Sequence, residues 1–173
     1  MPWGSSPVIA LVLAWAAAIA WTDWRERRIP NLLSLGAWGF GAAVLMFSGR
    51  SLLGAEPSSA LLAAAGALLV TLPGYLTRRL GAGDVKFLVA TGLLSSWPLT
   101  LICFTVGTSL GAAVGLVSQR RQQLFLMLPR PLQNPDSRLA SWAARTPPAK
   151  HIPLGTCLSV GLVVALAVGP APV

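Results

Sequence analysis

Six apolar stretches alternate with polar ones along this 173-residue chain, and five of the six approach or reach the ~20 residues that carry a helix across a bilayer. They fall at residues 7–22, 32–47, 60–76, 85–94, 99–117 and 152–168, the fourth being the shortest. The pattern excludes a water-soluble globule. Of all residues 54% are hydrophobic and 10% charged, where soluble domains carry about 25% charged residues. A mean hydropathy of +0.68 points the same way. The chain is therefore expected to be all-α, one membrane-embedded domain over residues 1–173 built as a polytopic bundle of about six transmembrane helices.

The first stretch is bracketed by Trp3 and Trp21, as interfacial tryptophans bracket a span, and ends in the polar block Asp23-Trp24-Arg25-Glu26-Arg27-Arg28. Its positive charge follows the apolar run, whereas a cleaved signal peptide carries it in front. The net charge of +8 raises the question of nucleic acid, and the positions of the charges answer it. If the block at 23–31 faces the cytoplasm, all 13 basic residues except Arg50 fall on that side: Arg25, Arg27, Arg28, Arg78, Arg79, Lys86, Arg120, Arg121, Arg130, Arg138, Arg145 and Lys150. This is the positive-inside rule. Both chain ends are then expected away from the cytoplasm, and no nucleic-acid partner is needed. Residues 119–151, with Pro129, Pro131, Pro135, Pro147 and Pro148, read as a basic cytoplasmic loop without a core, either a connector or a docking surface for a partner or anionic lipid.

Two cysteines are too few for a disulfide framework, and no Cys-x-x-Cys pair offers a zinc site. Cys103 follows the outer start of the fifth stretch and Cys157 the inner start of the sixth, so they are expected in opposite leaflets, as packing residues. Gly107, Gly111 and Gly115 recur every four positions and predict a flat face for close helix approach.

Five acidic residues remain to carry chemistry, and two of them lie where an apolar stretch meets the cytoplasmic boundary: Asp23 and Asp84. Carboxylates at that depth are costly unless paired or functional. Glu26 is expected in a polar loop, Glu56 outside near Arg50, and Asp136 in the long loop. Two carboxylates a few ångströms apart share one proton, so one activates water while the other donates to a carbonyl oxygen. Such a pair requires no metal and no cofactor. His151, the single histidine, has no neighbouring ligand and reads as interfacial. Asp84 stands in Gly81-Ala82-Gly83-Asp84-Val85-Lys86. That segment is either a turn in which Asp84 caps the fourth helix and Lys86 marks the boundary, or a site where glycine backbones, free to take φ > 0, admit an extended peptide.

Taken together, Asp23 to Asn31, ending in Ile29-Pro30-Asn31, and the glycine-flanked Asp84 before Lys86 resemble the type IV prepilin peptidases, a family of membrane aspartic proteases. There the first aspartate precedes a basic stretch and an Ile-Pro-Asn, and the second lies in Gly-x-Gly-Asp-x-Lys. Ile152-Pro153-Leu154-Gly155 is similar to the family's Ile-Pro-Phe-Gly-Pro but departs at Leu154 and Thr156, and no catalytic role is assigned to it. The resemblance covers nearly the whole chain, least closely through 119–150.

The resemblance implies a catalytic dyad of Asp23 and Asp84, with Gly81, Gly83, Lys86, Pro30 and Asn31 binding substrate or supporting the dyad. Pro30 and Asn31 would cap and start the second span. It also implies cleavage of the leader of a prepilin or pseudopilin with an apolar N-terminal helix, at the cytoplasmic face of the bacterial inner membrane. Without the zinc-binding domain of the larger members, the chain is similar to the short peptidase-only branch of tight-adherence (Flp-type) pilus systems, which implies cleavage without methylation. Asp84, at a helix start, is the expected base. The alternatives are a presenilin-like protease, a small transporter or channel with the aspartates as ion ligands, and a non-catalytic assembly factor.

Overall fold

A computed structural model describes residues 6–127, 141 and 153–168. Its described residues form six helices: α1 (Ser6–Glu26), α2 (Asn31–Ser48), α3 (Pro57–Leu76), α4 (Ala82–Leu94), α5 (Trp97–Leu126) and α6 (Leu154–Val168). The expected all-α membrane bundle is what the chain forms. α1, α2, α3 and the first 24 residues of α5 are each long and apolar enough to cross a membrane, while α4 and α6 have 13 and 15 residues.

Helix ends follow local chemistry rather than hydropathy. α2 stops at Gly49, whose left-handed φ of 65° lets its N–H return to the Leu45 carbonyl at 3.1 Å. α3 opens with Pro57, whose missing N–H costs nothing at a first helical position. α1 runs through Asp23 to Glu26, so Glu26 closes a helix instead of lying in a loop. α5 likewise runs past Val117 to Leu126, making 119–126 helical where a loop was expected. The reason is the same at both places. Apolar character marks where lipid ends, whereas a helix of Gln and Arg can continue beyond it into water. Arg130, Asp136, Arg138, Arg145, Lys150, His151 and Ile152 lie outside the described residues, as does Trp3.

α4 is the hub. Phe87, Leu88, Ala90 and Thr91 are almost fully buried, and the helix packs on α2, α3, α5 and α6. Phe87 stacks on Trp15 of α1 with ring centroids 5.1 Å apart. A 13-residue helix rises only about 20 Å, well short of a ~30 Å hydrocarbon core. The connection between α2 and α3 makes up the difference by folding inward over its end. Leu53 is buried there, and its N–H donates to the Leu94 carbonyl at 3.0 Å.

Small residues set the helix spacing, as expected where lipid gives helices no hydrophobic drive to associate. A Cβ on Gly92 would lie 2.5 Å from the Ala64 backbone nitrogen of α3. On the α5–α6 seam, Gly107 faces Leu158, Gly111 faces Leu154, and Gly161 faces the Cys103 carbonyl. Gly115 is buried on the same face. These pairs run in opposite order along the two helices, so α5 and α6 are antiparallel. They also correct the cysteine placement: Cys103 Sγ donates to the Leu158 carbonyl at 3.4 Å, one residue from Cys157. α6 begins opposite Gly111, inside the bundle rather than at the cytoplasmic end of α5, and this brings Cys157 beside Gly107, about one turn from Cys103. Both thiols are buried and free. Large side chains such as Leu32, Phe47 and Leu69 cover the outside, where lipid would lie.

Candidate active site

Asp23 sits on the last turn of α1 and is only 7% exposed. Beyond Glu26 the chain reverses at Arg27, whose φ of 54° is left-handed and whose N–H returns to the Asp23 carbonyl at 3.0 Å. That conformation costs a residue with a Cβ about 1 kcal/mol. Ile29 and Pro30 then lead into α2. The reversal aims Ile29 between the starts of α4 and α6: a Cβ on Gly83 would lie 3.0 Å from Ile29 Cβ, and one on Gly155 would lie 2.8 Å from Ile29 Cδ1. Gly155 also allows Asp23 to approach, since its Cβ would be 3.0 Å from Asp23 Cγ.

The Asp23 carboxylate meets the first turn of α6. Its Oδ2 accepts the backbone N–H of Thr156 at 2.8 Å, and the Thr156 hydroxyl lies 3.2 Å from the same oxygen and 3.2 Å from the Ala20 carbonyl. First-turn N–H groups have no partner within their own helix, so an aspartate of α1 satisfies one belonging to α6. Asp84 occupies the first turn of α4 and reaches back to accept the Gly81 N–H at 3.3 Å. Here the glycine rationale needs correcting. Gly81 has an ordinary φ of −75°, so left-handed freedom is not its purpose. Its Cβ would stand 2.9 Å from Asp84 Oδ2, so it is small in order to leave that oxygen room. Gly83 is small for Ile29.

Both aspartates line one cavity of about 680 Å³, and Asp84 is near enough to Asp23 to interact with its charge. Gly81, Gly83, Asn31 and Lys86 line it too, with Arg27, Arg28 and Arg79 adding positive charge. Lys86 is engaged: its Nζ donates to Asn31 Oδ1 at 2.8 Å, tying the start of α2 to that of α4. Asn31 therefore does not cap its own helix. Pro30 holds the N-cap position with φ −59° and no side-chain cap, and is not among the cavity's lining residues; it shapes the turn. Among the described residues, no group of three or more His, Cys, Asp and Glu is placed to hold a metal ion.

Three residues at this site went without a role in the sequence: Ile29, Gly155 and Thr156. The only signal was the position of Ile152-Pro153-Leu154-Gly155 at the start of the last helix, and nothing linear connects it to Asp23, 133 residues earlier.

Residues 10–116 match the family model of the type IV leader peptidase family. No curated protein and no solved structure matches the chain. The matched residues contain both aspartates and the Ile29-Pro30-Asn31 turn, and they make up well over half of the sequence. The chain belongs to the type IV leader peptidase family.

Proposed function

We propose that this peptidase-family protein is an aspartic endopeptidase that removes the leader from prepilin-like proteins at the cytoplasmic face of the bacterial inner membrane. Asp23 and Asp84 are its catalytic pair. The observation that supports this reading is their entry into one cavity from two helix ends, close enough to interact, at the end of the bundle that also carries Arg27, Arg28, Arg79 and Lys86. By the positive-inside rule that end is cytoplasmic, and the chain ends lie on the other side.

The chemistry consumes one water. The ionised carboxylate removes a proton as the water oxygen bonds to the scissile carbonyl carbon, and the protonated carboxyl gives its proton to the carbonyl oxygen. Collapse of the tetrahedral diol breaks the C–N bond: the departing nitrogen takes the proton first removed from water, and a diol hydroxyl returns its proton to the carboxylate that had donated. One carboxyl and one carboxylate are thereby restored. Neither metal nor cofactor takes part.

The substrate is an amphiphile whose apolar helix lies in the bilayer against the spans and whose basic leader stays at the surface. Four cationic side chains line the cavity; they repel a basic segment and keep all but the scissile residues outside, over lipid phosphates. Following the likeness to the short Flp-type branch, the new N-terminus is left unmethylated. Coexpression with a candidate prepilin tests the reading. Wild type shifts the substrate to lower mass by its leader, and Asp23→Asn or Asp84→Asn each abolishes the shift. Processing by both variants would overturn it.

A further inference from the structure

We propose that Thr156 is a positioning residue for the reaction, holding Asp23 by one oxygen so that the other is presented to water and to Asp84. The inference rests on the dyad reading above and adds to it a residue from the segment for which the sequence suggested no role.

The geometry is asymmetric. Asp23 Oδ2 receives two donors from one residue of another helix, the Thr156 N–H at 2.8 Å and its hydroxyl at 3.2 Å. Asp84 receives a single longer bond from its own turn, the Gly81 N–H at 3.3 Å. Two donors on one oxygen restrict both rotation and tilt of a carboxylate, and among the described residues none donates to Oδ1. The Thr156 hydroxyl carries one proton, which it gives either to Asp23 Oδ2 or to the Ala20 carbonyl, also 3.2 Å away and one turn before Asp23 on α1. Threonine thus contacts α1 at two points one turn apart. Gly155, beside it, supplies the clearance: Asp23 Cγ lies 3.0 Å from where its Cβ would be.

The arrangement also bears on which aspartate is the base. A helix start favours a nearby anion, and that argument had singled out Asp84 on α4. The folded chain places a second helix start, that of α6, against Asp23, with a short N–H bond aimed at its oxygen. Asp23 then serves as the ionised partner that takes the proton from water, and Asp84 as the carboxyl that donates.

The test uses the full chain in lipid vesicles and a synthetic peptide made of a Lys/Arg-rich leader ending in glycine, followed by an apolar helix of about 20 residues. Thr156→Val keeps the shape and the N–H but removes the hydroxyl; Thr156→Ser keeps both donors. Losing one such bond corresponds to roughly a tenfold fall in rate. The valine variant should lose about that factor in kcat with KM within twofold, and the serine variant should recover most of it. Both should stay folded, with the valine variant's unfolding temperature lowered by no more than the few degrees that one hydrogen bond is worth. Wild-type kcat in Thr156→Val, a loss carried by KM, or a serine variant as slow as the valine one would overturn the role of Thr156. Activity of Asp23→Asn and Asp84→Asn on the same peptide would instead overturn the dyad, so the two failures are told apart.

Discussion

The middle of the bundle and its aspartate-bearing end are held together by different means. In the middle, α4 meets α3 through Gly92, and α5 meets α6 through Gly107 and Gly161. In each case a Cβ would lie within 2.8 Å of the neighbouring backbone. Close packing dominates these contacts, with the Cys103 thiol adding one hydrogen bond across the α5–α6 seam. At the aspartate end, the neighbours of the glycines are side chains, Ile29 against Gly83 and Gly155, and Asp84 against Gly81. Hydrogen bonds between helices do the rest, from Thr156 to Asp23 and from Lys86 to Asn31. Backbone against backbone resists any movement, whereas side chain against side chain sets direction and leaves an open cavity. The same residue type therefore does two jobs, and substitutions at the two ends should fail in different ways.

The largest effect belongs to the carboxylates. On the proposed reading, in which the two share one proton, Asp23→Asn and Asp84→Asn should each lower the rate of leader cleavage about a thousandfold or more, measured on the synthetic peptide. The unfolding temperature should move little. If either variant instead unfolded far below the wild type, that aspartate would belong with the structural half of the comparison.

Gly155→Ala comes next. Its methyl would meet Ile29 Cδ1 at 2.8 Å and Asp23 Cγ at 3.0 Å, both ends of side chains that can swing away. Asp23 then leaves Thr156, and a misplacement of about 1 Å in a reacting group costs on the order of a hundredfold in rate. Cleavage should fall by about that factor while thermal stability in detergent stays near that of the wild type.

Gly92→Ala should show the reverse. The new methyl would lie 2.5 Å from the Ala64 nitrogen and 2.8 Å from the Ala63 carbonyl carbon, and neither helix can yield without losing its own hydrogen bonds. Overpacking of this kind costs about 1–3 kcal/mol, to be read as a lowered unfolding temperature. Folded molecules should cleave at near the wild-type rate per active site, measured by titrating the folded fraction. A loss of rate without a loss of stability would erase the distinction between the two halves.

The two halves also differ in how much of them a linear reading reaches. The all-α bundle, both aspartates and the glycine face of α5 are legible because hydropathy, charge placement and the four-residue glycine spacing are local properties. Helix ends are less so: Glu26 and Arg120 lie on helices because polar residues carry a helix beyond the lipid. The depth of Cys157 was missed because it depends on where α6 begins, and that is decided by its antiparallel fit to Gly111. Thr156 was out of reach for the same reason. Its contact with Asp23 spans 133 positions, which no periodicity records.

The smallest effect lies at the rim. Lys86 Nζ donates to Asn31 Oδ1 at 2.8 Å in an exposed setting, where such bonds contribute about 0.5–1 kcal/mol. Trp38 supplies a second tie between the same helices, its indole N–H donating to the Lys86 carbonyl at 2.7 Å. That bond uses the backbone and survives any change of the lysine side chain. Lys86→Met keeps the apolar stem and removes the donor, so it should lower stability by about 0.5 kcal/mol, near the limit of a thermal scan, and leave kcat within about threefold. Asn31→Ala should match it, and the double variant should be no worse than either single one, because both remove the same bond. A double variant that lost activity far beyond the singles would mean that each residue touches the substrate separately, and the rim would then join Asp23 and Asp84 as part of the reacting site.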